Sequence, residues 1–235
     1  MNDFYNFGIK SNCDKVRTHG YHRFFPQYIE KFRLLDGAMV EIGIQEGRSL
    51  TIWENYFKKF KIYGIDIESE YIGDRVVIFK ADQSNLHDLQ SVLSKVVENV
   101  YFINDDGSHV PSHQLLTFNL YFEKLLQPGG VYIIEDVEVS YWRAGSIYAY
   151  PTLYGYKHPE SVLEVFKHVV DDVNSFYMND ADKKKQDDLL SRYLSKETRS
   201  MIRSVQFAQN CIIIEKKNED DYRYAKGEYR WKEHL

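Results

Sequence analysis

Two acidic clusters, one with a histidine beside it, stand directly after apolar runs of the sequence. Asp105, Asp106 and His109 follow one run in "YFINDDGSHV", and Glu135 and Asp136 close the run "GGVYIIED". The carboxyl ends of neighbouring parallel strands meet at one rim of a sheet, so Asp106, Glu135 and Asp136 are expected to converge. Carboxylates crowded together in this way suit a hard divalent cation such as Mg²⁺, or Mn²⁺ or Ca²⁺ in its place.

His109 could serve this cluster as a general base. A neutral imidazole near the cation can take the proton from a hydroxyl group whose acidity the cation raises. Two other interpretations stay open. Acidic residues at strand ends are often helix caps or ion-pair partners, and His109 with His113 could form a zinc pair. No cysteine lies close to that pair and Pro111 separates its members, which disfavours zinc.

The elements that position these residues alternate along the chain. Five apolar runs indicate buried strands at residues 38–44, 61–67, 75–82, 99–105 and 129–136. Apolar residues at helical spacing separate most of these runs, and "QPGG" is expected to end the helix that precedes the fifth. Two further strands with a tight turn at residues 209 and 210 form an antiparallel C-terminal hairpin. The pattern predicts an α/β fold with a doubly wound, Rossmann-like, mostly parallel seven-stranded sheet.

The turn after the first strand carries two glycines, Gly43 and Gly47, in "EIGIQEGRS". An ordinary tight turn would explain them, and so would a backbone that approaches a ligand closely. The dinucleotide fingerprint G-x-G-x-x-G is absent, because Gln45 stands where its middle glycine should be. Glu46 would also direct a negative charge at a pyrophosphate. A nucleoside without phosphates therefore fits this turn better than NAD.

Two further acids follow the second and third strands. Asp66 is placed to accept the hydroxyls of a ribose, and Asp82 is placed to reach the amino group of an adenine. S-adenosylmethionine has an adenine, a ribose and an amino-acid tail, and it meets this description without a phosphate. The acids at three successive strand ends favour a nucleoside site over an accidental arrangement.

Composition excludes several classes of protein. The 235 residues include 30 Lys and Arg against 35 Asp and Glu, which disfavours a nucleic-acid partner. No apolar run approaches the roughly 20 residues that span a bilayer, and the N-terminus lacks the apolar region of a signal peptide. Only Cys13 and Cys211 are present, so a disulfide framework is not expected. The sequence predicts a cytoplasmic protein without a membrane partner.

Three motifs resemble a known family. "EIGIQEGRS", "DDGSH" and "IIEDVEVSYW" are similar to segments of metal-dependent sugar O-methyltransferases of antibiotic biosynthesis, of the mycinamicin and tetracenomycin-rhamnose type. The resemblance implies a class I methyltransferase fold that binds S-adenosylmethionine. It also implies that "CDKVRTHGYHRFF" helps to close the cofactor site. The domain division that follows is an N-terminal helical segment at 1–37, a methyltransferase domain at 38–217 and a polar tail at 218–235.

The resemblance also assigns roles to individual residues. It implies that Asp106, Glu135 and Asp136 hold Mg²⁺ and that His109 is the general base. The residues implied to lie at the cofactor are Glu41, Gly43 and Gly47 in the loop, Asp66 at the ribose, Asp82 and Gln83 at the adenine, and Asp105 within the matched motif.

The expected function is therefore Mg²⁺-dependent O-methylation of a sugar or another small polyhydroxylated acceptor. The alternatives are a non-catalytic nucleoside-binding module and a metal-dependent hydrolase or hydroxylase on the same scaffold. The loop at residues 137–159 is rich in tyrosine, including Tyr148, and it could be a substrate lid or an interface in a homo-oligomer.

Overall fold

The computed structural model describes residues 2–147 and 150–224. Tyr148, within the aromatic loop, and most of the predicted polar tail lie outside the described residues. The strands are Gly37–Ile42 (β1), Phe60–Asp66 (β2), Tyr71–Ile72 (β3), Val76–Lys80 (β4), Val100–Asp105 (β5), Leu126–Glu135 (β6), Ser146–Ile147 (β7), Tyr150–Pro151 (β8), Ile202–Ala208 (β9) and Cys211–Lys216 (β10). The helices are Asp3–Lys10 (α1), Asp14–Arg17 (α2), Pro26–Ile29 (α3), Arg48–Tyr56 (α4), Leu86–Leu93 (α5), Pro111–Lys124 (α6), Val162–Val173 (α7), Asp180–Leu190 (α8), Lys196–Ser200 (α9) and Glu219–Tyr224 (α10).

The main sheet has eight strands in the order β3-β4-β2-β1-β5-β6-β10-β9. Strands β4, β2, β1, β5 and β6 are parallel, whereas β3, β10 and β9 run antiparallel to their neighbours. The mostly parallel sheet and the closing hairpin are confirmed, but the count of seven strands is wrong. The additional strand is β3, which has two exposed residues at the sheet edge and is too short to leave a periodic signal.

Apolar side chains cover both faces of this sheet. Helices α5, α6 and α7 share one buried cluster with alternate strand residues such as Val40 and Ile103. Helix α4 and the N-terminal helical turns share a second cluster, in which Trp53, Phe25 and Phe102 are fully buried. Burial on both faces explains why the central strands appear in the sequence as nearly continuous apolar runs.

Helix α6 begins with Pro111 at its first turn, where a missing backbone N–H costs little. The expected end of this helix before "QPGG" is confirmed to within about one residue, but the predicted fifth strand begins three residues too late. The helix ends at Lys124, and the four residues lie inside β6, where Gly129 adopts a left-handed φ of 75°.

Strand β1 lies between β2 and β5, so the winding of the sheet reverses there. The carboxyl ends of β1, β2, β5 and β6 consequently face one crevice, which is where such folds bind ligands. Within the described ranges, no helix is long and apolar enough to cross a bilayer.

Candidate active site

Asp106, His109 and Asp136 form the only group of potential metal ligands found among the described residues. One ligand atom from each lies within 4.8 Å of the others. His109 Nε2 is 4.0 Å from Asp106 Oδ1 and 3.9 Å from Asp136 Oδ2. The structure therefore brings together the predicted base and two of the three predicted metal ligands.

The backbone at this group is strained. His109 and Asp136 both have left-handed backbone conformations, with φ of 57° and 51°. Such conformations are uncommon for residues other than glycine and cost of order 1–3 kcal/mol each. Two of them beside one another at the ends of β5 and β6 indicate that the chain accepts strain in order to aim these side chains.

Glu135 lies apart from this group. Its buried carboxylate accepts hydrogen bonds from Lys15 Nζ at 2.9 and 3.0 Å, and one from Asn104 Nδ2 at 2.7 Å. Burial raises the pKa of Glu135 well above its ordinary value and Asp106 raises it further, while the Lys15 ammonium acts in the opposite direction. The predicted third ligand is thus paired with a lysine in this structure.

Lys15 was not singled out by the sequence, because a lysine in "CDKVR" is typical of an exposed helix face. It is nevertheless only 1% exposed. Its Nζ also donates to Asp106 Oδ2 and lies 3.4 Å from Glu41 Oε1. Burial lowers the pKa of Lys15, but the three neighbouring carboxylates raise it well above its ordinary value. Lys15 is therefore a buried cation among acids from three different strands.

Glu41 and Asp105 are both buried away from the crevice. Glu41 Oε2 accepts a hydrogen bond of 2.7 Å from Ser49 Oγ. Asp105 accepts hydrogen bonds from Gln83 Nε2 at 2.7 Å and from the Tyr132 hydroxyl at 3.0 Å. Burial raises the pKa of Asp105 to about 6, against these hydrogen bonds, which lower it. In this structure the carboxylates of Glu41 and Asp105 therefore bond to buried side chains and do not line the cavity.

Asp66 organises the turn that follows β1. One of its carboxylate oxygens accepts from the N–H groups of Ile44 and Gln45, each at 3.0 Å. The other accepts from Glu68 and Ser69 at 2.9 and 2.8 Å. Burial raises the pKa of Asp66, but the four backbone donors outweigh it and leave the pKa below its ordinary value. The carboxylate stays ionised at the position predicted for ribose.

A cavity of about 980 Å³ opens at the carboxyl ends of these strands. Its volume is at the upper end of the range for small-molecule sites. The predicted site residues that line it are Gly43, Asp66, Asp82, Gln83, Asp106, His109 and Asp136. Glu41, Gly47, Asp105 and Glu135 do not line it. The N-terminal segment contributes Asn12, Cys13 and Asp14 to the wall.

Gly43 brings β1 against the end of β5. A Cβ atom at this position would lie 2.0 Å from the Asp106 carbonyl oxygen, and φ is 85°. The glycine is therefore required by contact between two strand ends, whether or not a ligand also approaches it. It fixes the position of Asp106 relative to the turn that follows β1.

Replacing Gly43 with alanine should lower the free energy of unfolding by about 2–4 kcal/mol, because the clash adds to the backbone strain. Gly129→Ala is the matched control. It has a similar φ of 75°, but its added Cβ would meet only Asn218 at 3.7 Å. Urea unfolding of both variants separates the clash from the strain. Equal losses would contradict the role of the Asp106 contact.

Two solved structures share the fold of this chain. MycE methyltransferase from the mycinamycin biosynthetic pathway, solved with Mg, SAH and mycinamycin VI, superposes with a TM-score of 0.75 at 21% identity, covering 98% of this chain and 57% of that one. A second structure of MycE, with Mg and SAH, gives 0.76 at 22% identity, with 94% and 56% covered. The chain thus has the class I methyltransferase fold, as expected.

In sequence, the chain is similar to sugar O-methyltransferases of antibiotic pathways. It is 34% identical over 145 residues to the 8-demethyl-8-α-L-rhamnosyl tetracenomycin-C 2'-O-methyltransferase of Streptomyces olivaceus, covering 58% of this chain and 38% of that one. It is 32% identical to the mycinamicin VI 2''-O-methyltransferase of Micromonospora griseorubida, covering 52% and 33%. The resemblance noted from the motifs is confirmed. The matched segments span well under half the length of these relatives, and no protein-family model matches the chain.

Proposed function

We propose that this protein is an S-adenosylmethionine-dependent O-methyltransferase that uses Mg²⁺ or Mn²⁺ and acts on a hydroxyl of a sugar or similar acceptor. The observation that carries the proposal is the position of His109 Nε2, about equally far from Asp106 and Asp136 on the wall of the nucleoside-sized cavity. A base, two carboxylates and a cofactor cavity are the parts that metal-assisted methyl transfer to a hydroxyl requires.

The donor set fits a hard divalent cation. Asp106 Oδ1 and Asp136 Oδ2 both face His109, and carboxylate oxygens are the preferred ligands of Mg²⁺ and Mn²⁺. Glu135 remains a proposed third ligand, which requires its carboxylate to exchange Lys15 for the cation. A bound cation would stabilise the negative charge that develops on the acceptor oxygen.

The cofactor is proposed to occupy the cavity between the turn after β1 and the end of β4. Asp66 and Asp82 line this part of the wall, and neither of their carboxylates is fully buried. Both Gln83 side-chain ends are engaged, since Nε2 donates to Asp105 and Oε1 accepts from the Ser108 N–H at 2.9 Å. Because Asp66, Asp82 and Gln83 all line this wall, we assign Asp66 to the ribose and Asp82, with Gln83 beside it, to the adenine. The Gln83 side chain lines the cavity and links Asp105 to the backbone of Ser108.

His109 is proposed to accept the proton of the acceptor hydroxyl as its oxygen attacks the methyl carbon. When bound, S-adenosylmethionine would supply the electrophilic methyl group and would leave as S-adenosylhomocysteine. His109 would retain the proton on its imidazole. Asp106 and Asp136 lie beside the imidazole, each with one carboxylate oxygen within 4.0 Å of its Nε2.

The proposed acceptor class follows from the relatives and from the aromatic loop. One relative acts on a rhamnosyl group and another on mycinamicin VI, according to their names. Tyr150 lines the cavity and packs edge-on against His113, with ring centroids 4.6 Å apart. Tyr141 and Tyr156 form an exposed stacked pair nearby in sequence. Aromatic faces of this kind suit sugar rings, which supports a glycosyl acceptor.

A cytoplasmic location is part of the proposal. Cys13 and Cys211 are both buried and unpaired, which supports a reducing compartment. Self-association of the chain stays a prediction.

Isothermal titration calorimetry with S-adenosylhomocysteine tests the proposal, on metal-free protein and again with Mg²⁺. Transfer of a labelled methyl group from S-adenosylmethionine to methyl α-L-rhamnopyranoside and related glycosides follows. We expect binding, and transfer that requires the cation. Binding without transfer to any glycoside would favour the non-catalytic module. Absence of binding in both conditions would exclude the methyltransferase and leave a metal-dependent hydrolase.

A further inference from the structure

In both Asp106 and Asp136, the two carboxylate oxygens have different neighbours. Asp106 Oδ2 accepts from Lys15 Nζ, while Oδ1 faces His109 Nε2 at 4.0 Å. Asp136 Oδ1 accepts from the Tyr21 hydroxyl at 2.5 Å, while Oδ2 faces His109 Nε2 at 3.9 Å. Each aspartate therefore has one oxygen held by the N-terminal segment and one oxygen directed at the same point.

The two donors belong to one short stretch, segment 15–21. Lys15 lies on α2 and Tyr21 begins the 3₁₀ turn Tyr21–Arg23, with Gly20 in a left-handed conformation between them. Both side chains are almost completely buried, at 1% and 0% exposure. This segment packs over the carboxyl ends of β5 and β6 and reaches both aspartates at once.

The Tyr21 ring is fixed independently of its hydroxyl. It stacks on Phe25 with centroids 4.8 Å apart and on His19 at 5.3 Å. The ring is therefore held by packing, while its hydroxyl donates to the Asp136 carboxylate. Asn210 Nδ2 donates to the same oxygen of Asp136 at 3.0 Å, and His19 Nδ1 lies 3.4 Å from it. All of these groups contact Oδ1 and leave Oδ2 to the crevice.

We propose that segment 15–21 is a positioning element of the metal site, in which Lys15 and Tyr21 each hold one oxygen of an aspartate so that the other is presented to a single divalent cation. This inference rests on the proposed function for the identity of the cation. Partners that orient metal ligands typically contribute 10- to 100-fold in metal affinity. Neither residue touches the reacting atoms, so both act through the aspartates.

Segment 15–21 counteracts the repulsion between the Asp106 and Asp136 carboxylates and limits their rotation. Two carboxylates aimed at one point repel each other before the cation arrives, and each can rotate away about its terminal torsion. A hydrogen bond to the outer oxygen removes that freedom and offsets part of the repulsion between the two carboxylates. The site is then preorganised, and less of the binding free energy of the cation is spent on ordering its ligands.

Mn²⁺ binding to metal-free protein, measured by electron paramagnetic resonance without cofactor or acceptor, tests this inference. Tyr21→Phe removes the hydroxyl and keeps the stacked ring. We expect it to weaken Mn²⁺ binding about tenfold, equivalent to about 1.4 kcal/mol. Raising the Mn²⁺ concentration should then restore turnover, so the variant changes the Mn²⁺ activation constant and leaves the maximal rate.

Tyr56→Phe is the matched control. Tyr56 is equally buried in the same N-terminal cluster, and its hydroxyl also donates to a carboxylate, that of Glu30. We expect its Mn²⁺ affinity to match that of the unmodified protein. Equal affinities in all three proteins would overturn the positioning role and leave the proposed function intact. Equal weakening in both variants would also overturn it, since the effect would be structural. If the unmodified protein bound no Mn²⁺, the metal-dependent part of the proposed function would fail as well.

Discussion

Replacing His109 with asparagine should lower methyl transfer by about 10²- to 10⁴-fold at saturating cofactor, cation and acceptor, the range for loss of a positioned general base. Asparagine is chosen because φ at this position is 57°, and it tolerates left-handed backbone better than alanine. The fold should survive the change, while no group remains between Asp106 and Asp136 to take the proton.

The same variant separates two roles for His109. If the imidazole acts as a base, the Mn²⁺ dissociation constant and the affinity for S-adenosylhomocysteine should stay within about threefold of the unmodified values. A parallel loss of Mn²⁺ binding and turnover would instead make His109 a metal ligand. His87→Asn, on a side chain that is 91% exposed, controls for loss of a histidine and should leave all three measurements unchanged. Unimpaired turnover in His109→Asn would falsify the catalytic assignment.

The strands that are buried on both faces of the sheet could be predicted from the sequence, because they are continuous apolar runs. Strands β1 and β5 are buried on both faces and are nearly continuous apolar runs, so their positions were found to within about two residues. Strand β3 left no such pattern, because both of its residues are exposed. The proline and glycines of "QPGG" indicated a turn, so the start of β6 was predicted too late. The structure accommodates these residues inside the strand.

The sequence predicted where the site lies in the fold, but it did not predict most of the contacts within the site. The carboxyl ends of parallel strands share one rim, and this rule placed Asp106, His109 and Asp136 together. It did not separate neighbouring acids, although consecutive residues of a strand point to opposite sides. That alternation was the available signal that Asp105 turns into the core, towards Tyr132, while Asp106 turns to the crevice.

Lys15 had no comparable signal. Its partner Glu135 is 120 positions away in the sequence, and only the folded chain shows that α2 covers the ends of the strands. The backbone donors around Asp66 belong to the same category, because they depend on turn geometry and not on residue type. The positions of acidic residues after apolar runs therefore identified the acids of this site. Tertiary packing determines which of them face the cavity.

Replacing Lys15 with methionine should lower the free energy of unfolding by about 3–5 kcal/mol in metal-free buffer, the usual loss when one partner of a buried ion pair is removed. Methionine fills much of the same volume but leaves Glu135 and Glu41, which are 1% and 0% exposed, without their cation. Burial already raises the pKa of both carboxyls, and Lys15 is the strongest of the groups that oppose this effect. Urea unfolding provides the measurement.

Two further variants test whether charge is the reason. Lys31→Met removes a cation whose Nζ lies 3.1 Å from Glu215 Oε1, but Lys31 is 43% exposed, so the loss should not exceed about 1 kcal/mol. The double variant Lys15→Met with Glu135→Gln should recover part of the loss, because it removes an unpaired buried charge and keeps the shape of the side chain. If Lys15→Met unfolded no more easily than Lys31→Met, the acids beneath the site would not depend on this lysine. A large loss that the double variant partly recovers would mean that Lys15 is the cation that balances the buried Glu135 and Glu41, and that this contact stabilises the N-terminal segment against the ends of the strands.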